Sequence, residues 1–175
     1  NVEKNLALHN IETRRVFEPP AYVNVPHSEY LYYTGLCLPS GPNLSDEDIY
    51  RICDLIQPLD IKWRCYARTQ GMDKKILQRM KYAGCVEIGI GIESGSKKIL
   101  DIVDKNIDPN KNLQFVKCCK EIGIKINVFI MIGLPGETIQ TVQETKRWME
   151  KALPDKFGFN IFVPYIGTPI YNNPD

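Results

Sequence analysis

The stretch Val-Glu-Ile-Gly-Ile-Gly-Ile-Glu-Ser-Gly, residues 86–95, is typical of one buried β-strand whose two faces differ. Side chains alternate between the faces of a strand. One face is aliphatic and consists of Val86, Ile88, Ile90 and Ile92. The other face carries the carboxylates of Glu87 and Glu93, separated by Gly89 and Gly91. The aliphatic face predicts a covering layer of helices. The glycine face either lines a cavity that holds something other than protein, or only relieves crowding inside a small barrel.

Helical and extended patterns alternate on both sides of this strand. Residues with capping side chains predict helix starts at Ser45, Asp73, Asp108 and Thr138. Further strands are predicted over residues 61–68, 125–133 and 157–163, and a tyrosine-rich first strand over residues 29–35. Strands that alternate with helices in this way form right-handed βαβ units, so the strands are expected to build a parallel sheet.

One face of four consecutive predicted strands is polar. It carries Arg64, Arg68, Glu87, Glu93, Asn127 and Asn160. A doubly wound sheet buries both faces with apolar side chains, whereas the inside of a barrel can line a cavity. We therefore predict an α/β fold, a partial (β/α) TIM-like barrel of parallel strands with helices outside. In such folds the site lies at the carboxyl ends of the strands, which here are residues 66–68, 93–94, 133–137 and 164–165.

We divide the chain into an N-terminal segment with the first strand, residues 1–44, and a barrel core, residues 45–175. With 22 basic and 21 acidic residues, the net charge of +1 does not indicate nucleic acid as a partner. No apolar run approaches the roughly 20 residues that span a bilayer, so we expect no membrane segment and a cytoplasmic location. The six cysteines lack the spacing of zinc or iron–sulfur sites, which predicts free thiols.

Two local motifs have more than one interpretation. Gly89-x-Gly91 resembles part of a dinucleotide fingerprint, but its glycines lie within the strand rather than after it, which weakens the match. The turn at residues 133–138 either presents backbone N–H groups to a ligand or is a tight turn in which Glu137 opposes the helix dipole. Arg68 either binds a ligand carboxylate or pairs with Glu93.

Three segments resemble successive strand-end motifs of the radical S-adenosylmethionine enzymes. They are residues 87–96, 129–138 and 164–171, and residues 63–68 and 81–85 also fit the pattern. The resemblance covers residues 45–171 and is greatest to the branch that often carries an N-terminal cobalamin-binding domain.

This resemblance implies that a [4Fe–4S] cluster reduces S-adenosylmethionine to a 5′-deoxyadenosyl radical, for methylation or for oxidative or rearrangement chemistry. It implies that Glu93 and Ser94 approach the ribose or amino-acid part of S-adenosylmethionine and that Arg68 approaches its carboxylate. The adenine would lie near Ile132, Gly133, Pro164 and Tyr165. The implied partners are a small-molecule substrate and an electron donor such as flavodoxin or ferredoxin, and the parent protein is implied to bind cobalamin as well.

The sequence departs from the family pattern in the cluster loop. The Cys-x-x-x-Cys-x-x-Cys segment is absent, and residues 36–43 replace the acidic segment that usually follows the second strand. We interpret the chain as a piece of a longer enzyme, inactive by itself, whose cluster ligands lie elsewhere. Two alternatives are a non-catalytic α/β module that binds a metabolite or partner, and a phosphate-binding (β/α) enzyme, for which only residues 133–136 offer a glycine-rich loop.

The tyrosine-rich strand predicts an interaction surface. With no readable strand before it, one backbone edge of Tyr30–Tyr33 is expected to lack a neighbour. We expect this edge to pair with a second copy of the chain, or to be covered by residues 1–28.

Overall fold

The computed structural model of the chain describes residues 44–168 and Tyr171, together with Lys4, Ala7, Leu8, residues 13–15 and residues 36–37. The chain divides into two compact units, Asn1–Asp60 and Ile61–Asp175. The predicted division at residues 44 and 45 stays a prediction. The predicted strand at residues 29–35 and its Tyr30–Tyr33 edge lie outside the described residues.

The first unit contains a short antiparallel strand pair and one helix. Strand β1 (Arg14–Arg15) pairs with β2 (Leu36–Cys37). Helix α1 (Asp46–Ile56) begins with a complete capping box, in which the Ser45 hydroxyl accepts from the Asp48 N–H and the Asp48 carboxylate accepts from the Ser45 N–H. This confirms the predicted cap, which satisfies two backbone donors that a helix start leaves unpaired. A 3₁₀ turn, Gln57–Leu59, follows the helix.

The second unit is a four-stranded parallel sheet with interleaved helices. Its elements, in chain order, are β3 (Trp63–Tyr66), α2 (Lys74–Tyr82), β4 (Cys85–Glu93), α3 (Lys97–Ile102), α4 (Pro109–Ile122), β5 (Lys125–Ile132), α5 (Ile139–Ala152) and β6 (Lys156–Ile161). The strand order is β3-β4-β5-β6, and every neighbouring pair is parallel. The α/β class and the parallel sheet predicted from the alternating patterns are confirmed.

Capping side chains position the helices at the expected residues. Asp73 accepts from the Ile76 N–H at 2.8 Å, and Asp108 accepts from the Asn110 N–H at 2.8 Å. Thr138 caps α5 by accepting from the Thr141 N–H. The helix starts predicted from these residues are therefore confirmed. Among the helices that the structure describes, none has the length and apolar character that crossing a bilayer requires.

The core lies between the aliphatic face of the sheet and the helices. The aliphatic side chains of the two central strands are at most 1% exposed: Ile88, Ile90, Ile92, Ile126, Val128 and Ile130. Burying one such side chain stabilises the fold by roughly 1.5–3 kcal/mol. Strand β6 differs, because the described helices leave its outer face uncovered, and Phe159 and Ile161 are 55% and 80% exposed. Val86 of β4 is also partly exposed.

Candidate active site

The face of the sheet opposite the helices, called here the inner face, is the polar face predicted from strand alternation. Directly paired residues of neighbouring strands point to the same side. The register aligns Tyr66 with Gly89, Gly91 with Phe129, and Phe129 with Gly158. The inner face is therefore one continuous surface, with charged groups at both of its ends.

The carboxylate at the amino end of the inner face is used by the protein itself. Lys156 of β6 donates to Glu87 Oε2 at 2.6 Å, and Glu87 is only 9% exposed. This ion pair spans from β4 to β6 across β5. A buried carboxylate requires such a partner, so Glu87 has a structural role.

The middle of the inner face is filled by aromatic rings. A Cβ atom added to Gly89 would lie 2.6 Å from the Tyr66 ring and 3.2 Å from the Phe129 ring. The centroids of these two rings are 5.8 Å apart. The space above Gly89 is thus occupied by protein, which supports the crowding interpretation of this glycine rather than the ligand-cavity interpretation.

Glu93, at the carboxyl end of β4, has a strained backbone. Its φ angle is +57°, in the left-handed region that residues other than glycine seldom adopt. The pairing with β5 shifts register between Gly91 and Glu93, so that Glu93 lies opposite Ile130. Strained residues at strand ends frequently belong to functional sites.

Lys105 holds the Glu93 side chain over the inner face. Lys105 lies in the loop between α3 and α4 and forms an ion pair with Glu93 Oε1. Its Nζ also donates to the Gly91 carbonyl at 3.1 Å. A Cβ atom at Gly91 would lie 2.7 Å from Glu93 Oε1, so the absence of a side chain there makes room for the carboxylate. The two side chains remain 29% and 23% exposed, and a ligand can therefore reach them.

Arg68 follows β3 on the same rim of the sheet. The preceding residue, Ala67, donates to the Gly89 carbonyl at 2.9 Å and extends the sheet pairing by one residue. Arg68 is exposed, and its guanidinium has no hydrogen-bond or ion-pair partner within the described part of the chain. The alternative that Arg68 pairs with Glu93 is therefore wrong for this structure, because Lys105 takes that position.

The hydroxyl of Ser94 is buried against α5. It lies 3.1 Å from Thr145 Oγ1 and accepts from the Ser96 N–H at 3.1 Å. The next residue, Gly95, donates its N–H to Thr145 Oγ1 at 3.0 Å and packs against the backbone of α5. These contacts anchor the end of β4, and the predicted contact of Ser94 with a cofactor stays a prediction.

The turn after β5 satisfies one of its own backbone donors. Gly133, with φ of +83°, donates its N–H to Glu137 Oε2 at 2.6 Å. This contact favours the tight-turn interpretation, because the Gly133 N–H is not available to a ligand. Ile132 is 40% exposed beside the turn.

The segment after β6 presents an aromatic side chain at the same rim. Tyr165 is 81% exposed, and its carbonyl accepts from the Thr168 hydroxyl at 2.7 Å. Pro164 is half-buried. Of the predicted site residues, the structure thus places Arg68, Glu93, Ile132, Gly133, Pro164 and Tyr165 at or just beyond the carboxyl ends of the strands.

Lys105 is the residue that sequence reasoning missed. It lies in a loop after a short helix, where no strand or helix periodicity marks it. The only signal in the sequence was a lysine between two predicted helical pieces, ten residues after the Glu-Ser-Gly segment.

A groove of 470 Å³ lies on the helical side of the sheet and does not contain the predicted site. Its lining is Lys74, Gln78, Lys81, Tyr82, Glu121 and Ile122. Lys74 is paired with Glu121 at 3.1 Å. This groove is therefore a separate surface feature between α2 and α4.

The described thiols do not fit an iron–sulfur cluster. Five described cysteines are free, as predicted: Cys53, Cys65, Cys85, Cys118 and Cys119. Burial raises the pKa of Cys119 to about 12, so this thiol stays protonated at neutral pH. A hydrogen bond with Cys85 lowers the pKa of Cys65. Cluster ligands are thiolates, and within residues 44–168 no three Cys, His, Asp or Glu side chains are arranged to hold a metal.

Comparison with known proteins identifies relatives among methyltransferases and cyclases. The chain is 34% identical over 113 residues to an uncharacterised methyltransferase of Pyrococcus horikoshii, covering 65% of this chain and 25% of that protein. It is 28% identical over 116 residues to the anaerobic magnesium-protoporphyrin IX monomethyl ester cyclase of Cereibacter sphaeroides, covering 65% of this chain and 19% of that protein. The chain therefore spans about a quarter or less of the length of these relatives.

Solved structures share the fold. Coproporphyrinogen III oxidase of Escherichia coli, a radical SAM enzyme, matches with a TM-score of 0.61 and 17% identity, over 69% of this chain and 29% of that one. A radical S-adenosylmethionine methyltransferase of Kitasatospora setae, with cobalamin and a [4Fe–4S] cluster bound, matches with a TM-score of 0.56 and 17% identity, over 79% and 25%. These matches confirm the predicted partial barrel.

The comparison with family models agrees with the strand-end geometry. The model of the radical SAM superfamily matches residues 31–149, which include β3, β4 and β5 and the rim that carries Arg68, Glu93 and Lys105. Since this match covers more than half of the chain, the protein belongs to the radical SAM superfamily.

Proposed function

We propose that this chain supplies the S-adenosylmethionine-binding rim of an enzyme that carries out radical-mediated methylation or oxidation of a small molecule. The proposal is based on the placement of Arg68 and Glu93 at the carboxyl ends of the adjacent strands β3 and β4, together with the pairing of Glu93 with Lys105. In parallel α/β folds this end of the sheet is where ligands bind. The radical chemistry belongs to the family, and the relatives of this chain include a methyltransferase and an anaerobic cyclase.

The charges and surfaces of this rim suit S-adenosylmethionine. The Glu93 carboxylate is an acceptor for the ribose hydroxyls or the ammonium group, and Arg68 is a bidentate donor suited to a carboxylate. Exposed side chains of Ile132 and Tyr165 offer apolar and aromatic contacts to a purine ring. In this proposal Gly133, Pro164 and Ser94 contribute through their position next to these residues. When bound together with a reduced cluster, S-adenosylmethionine supplies a 5′-deoxyadenosyl radical.

The strained backbone of Glu93 supports a binding role. A left-handed residue costs of order 1–3 kcal/mol, and such strain persists where the surrounding contacts overdetermine it. Here the contacts are the Lys105 ion pair and the hydrogen bond from Lys105 to Gly91. The pair fixes the carboxylate before any ligand arrives, so less conformational freedom is lost on binding.

The remaining partners follow from the relatives. We propose that the cluster ligands and a cobalamin site belong to parts of the enzyme other than the residues described here. The methyltransferase of Kitasatospora setae has both groups bound. A small-molecule substrate and a reductant such as flavodoxin or ferredoxin complete the proposal. The free thiols fit a reducing compartment, and we propose the cytoplasm.

A second candidate is a module that binds S-adenosylmethionine without radical chemistry. Within residues 44–168 no side chains are arranged to hold a metal, and such a module needs none. Anaerobic reconstitution of the whole enzyme with iron and sulfide, followed by iron analysis and electron paramagnetic resonance, separates the two candidates. A stoichiometric [4Fe–4S] signal in the whole enzyme that resists chelators supports the radical enzyme, whereas binding of S-adenosylmethionine by a whole enzyme without iron supports the module.

Calorimetric titration of the chain with S-adenosylmethionine tests the binding role. We expect Glu93→Gln and Lys105→Met each to weaken binding about tenfold, because each removes a charged contact of roughly 1.5 kcal/mol. Lys97→Met is the matched control, since Lys97 forms an exposed ion pair with Asp101 on α3 and touches none of the rim residues. Equal affinity for all four proteins would reject the proposal.

A further inference from the structure

Two side-chain hydrogen bonds fasten the loop after β3 to the segment that carries Lys105. Thr69 Oγ1 donates to Asn112 Oδ1 at 2.6 Å, and Gln70 Nε2 donates to the Asn106 carbonyl at 2.6 Å. Thr69 directly follows Arg68, and Asn106 directly follows Lys105. The first bond therefore starts at the residue after Arg68, and the second ends at the residue after Lys105.

The side chain of Asn112 makes its contact with Thr69 while one of its own amide donors lacks a hydrogen bond. Asn112 is 1% exposed, and its Nδ2 has no hydrogen-bond partner among the residues described. A buried amide donor without a partner disfavours the folded state. An apolar side chain would avoid that penalty, so the bond to Thr69 is the contact that accounts for an asparagine at this position of α4.

The backbone of Arg68 is fixed from both sides, although its side chain is free. Ala67 is bonded to Gly89 of the sheet, and Thr69 is bonded to Asn112 of the helix. The Cα atom of Arg68, from which the exposed side chain extends, is therefore held at a defined position on the rim.

We propose that Thr69 and Gln70 are positioning residues that hold Arg68 next to the Glu93–Lys105 pair for recognition of a ligand carboxylate. The inference rests on the proposed function, in which Arg68 binds the amino-acid carboxylate of S-adenosylmethionine. Two cations and one carboxylate leave one net positive charge, which complements a single ligand carboxylate. Thr69 and Gln70 act through Arg68 and do not themselves touch the ligand.

Substitution of Thr69 tests the first bond. Thr69→Val keeps the shape of the side chain and removes the hydroxyl, and we expect S-adenosylmethionine to bind about three- to tenfold more weakly, the effect of losing one hydrogen bond. Thr69→Ser keeps the hydroxyl and is expected to restore the affinity. Equal weakening by both variants would overturn the role of the hydroxyl.

Gln70 provides a variant that does not depend on buried packing. Its side chain is exposed, so Gln70→Met is expected to fold normally and to weaken binding by a smaller factor of about two to five. The matched control is Gln78→Met, another exposed glutamine, on α2. Unchanged affinity in Gln70→Met would contradict the role assigned to Gln70.

A double-mutant cycle distinguishes positioning from general stability. If Thr69 acts through Arg68, Thr69→Val weakens binding in the native background and causes no further loss in an Arg68→Ala background. Decarboxylated S-adenosylmethionine lacks the proposed target group, and its affinity is expected to be the same with or without Thr69→Val. The same loss in both backgrounds, or for both ligands, would show a merely structural role.

The single variants also distinguish a failure of this inference from a failure of the proposed function. If Arg68→Ala and Glu93→Gln leave the affinity for S-adenosylmethionine unchanged, the proposed binding site itself is wrong. If those two variants weaken binding while Thr69→Val and Gln70→Met do not, the site stands and the positioning role is rejected.

Discussion

Glu93 and its neighbours illustrate how single residues shape the rim. The carboxylate lies over Gly91, the backbone of Glu93 is left-handed, and Lys105 contacts both residues. Each feature depends on the others: a side chain at residue 91 would collide with the carboxylate, and without Lys105 the carboxylate would lack a partner. The site is thus preorganised by contacts within the protein.

Gly89 and Gly158 provide a matched pair for testing the inner face. Gly89→Ala is expected to destabilise the fold by about 1 kcal/mol, the lower end of overpacking costs, because the new Cβ would lie 2.6 Å from the Tyr66 ring, which is 77% exposed and must shift. Gly158→Ala is expected to be neutral within roughly 0.5 kcal/mol, because its Cβ would make ordinary contact with Phe129 at 3.6 Å. Urea denaturation measures both, and equal destabilisation would contradict the packing described.

The buried thiol of Cys119 makes the free energy of unfolding depend on pH in the alkaline range. Its pKa is raised by burial to about 12, whereas an unfolded thiol titrates near about 8.5. Between these values the folded state binds more protons than the unfolded state, so the free energy of unfolding falls as pH rises. We expect a decrease of up to about 1.4 kcal/mol per pH unit above pH 8.5 that is absent in Cys119→Ala. Thermal melts of both proteins from pH 8 to 10 would show it, and parallel pH curves would refute it.

At the level of secondary structure, strand alternation and capping side chains predict most of the helices and strands. The register of β4 and β5 puts Ile88 opposite Ile126 and Gly89 opposite Asn127, as a two-residue period requires. The pattern could not predict which side chains fill the space above each glycine. The rings of Tyr66 and Phe129 come from neighbouring strands, and only the register brings them over Gly89.

The role of Lys105 could not be predicted from the sequence for a similar reason. Its contact with Glu93 joins residues on either side of a short helix, and its direction depends on how α3 packs. Likewise, strand alternation does not show that Phe159 and Ile161 are exposed, because the exposure of β6 depends on its position at the end of the sheet rather than on its own sequence.

The anchoring of α5 to β4 predicts a specific effect of Thr145. Thr145→Val removes the oxygen that accepts from the Gly95 N–H and contacts the Ser94 hydroxyl, and a buried donor left without a partner costs about 1–3 kcal/mol. Thr145→Ser retains the oxygen and is expected to lose less than half as much. Chemical denaturation compares the two, and an equal loss in both would show that the methyl group rather than the hydroxyl matters.

At the scale of the whole molecule, the exposed face and edge of β6 predict self-association. In the described sheet β6 pairs only with β5, and Phe157 and Ile161 are 58% and 80% exposed. The sequence has no charged residue from Phe157 through Pro174. Unprotected apolar edge strands pair with other chains. The edge predicted earlier at Tyr30–Tyr33 lies outside the described residues and stays a prediction.

A charge on this strand is expected to suppress association. Ile161→Lys should lower the average mass in light scattering at high concentration, because lysine on an edge strand disfavours strand pairing. Ile139→Lys, on α5, is the control, since Ile139 is similarly exposed at 81% but lies on a helix. If both variants remain as associated as the native chain, β6 is not the contact surface.

Hydrogen–deuterium exchange with and without S-adenosylmethionine locates the ligand on the protein without relying on any substitution. We expect slower exchange on ligand addition at residues 67–70, 91–95 and 104–107, with no change at the amino ends of β4 and β5. Protection confined to those amino ends, or to the groove between α2 and α4, would contradict the assignment of the site to the rim around Glu93, Lys105 and Arg68.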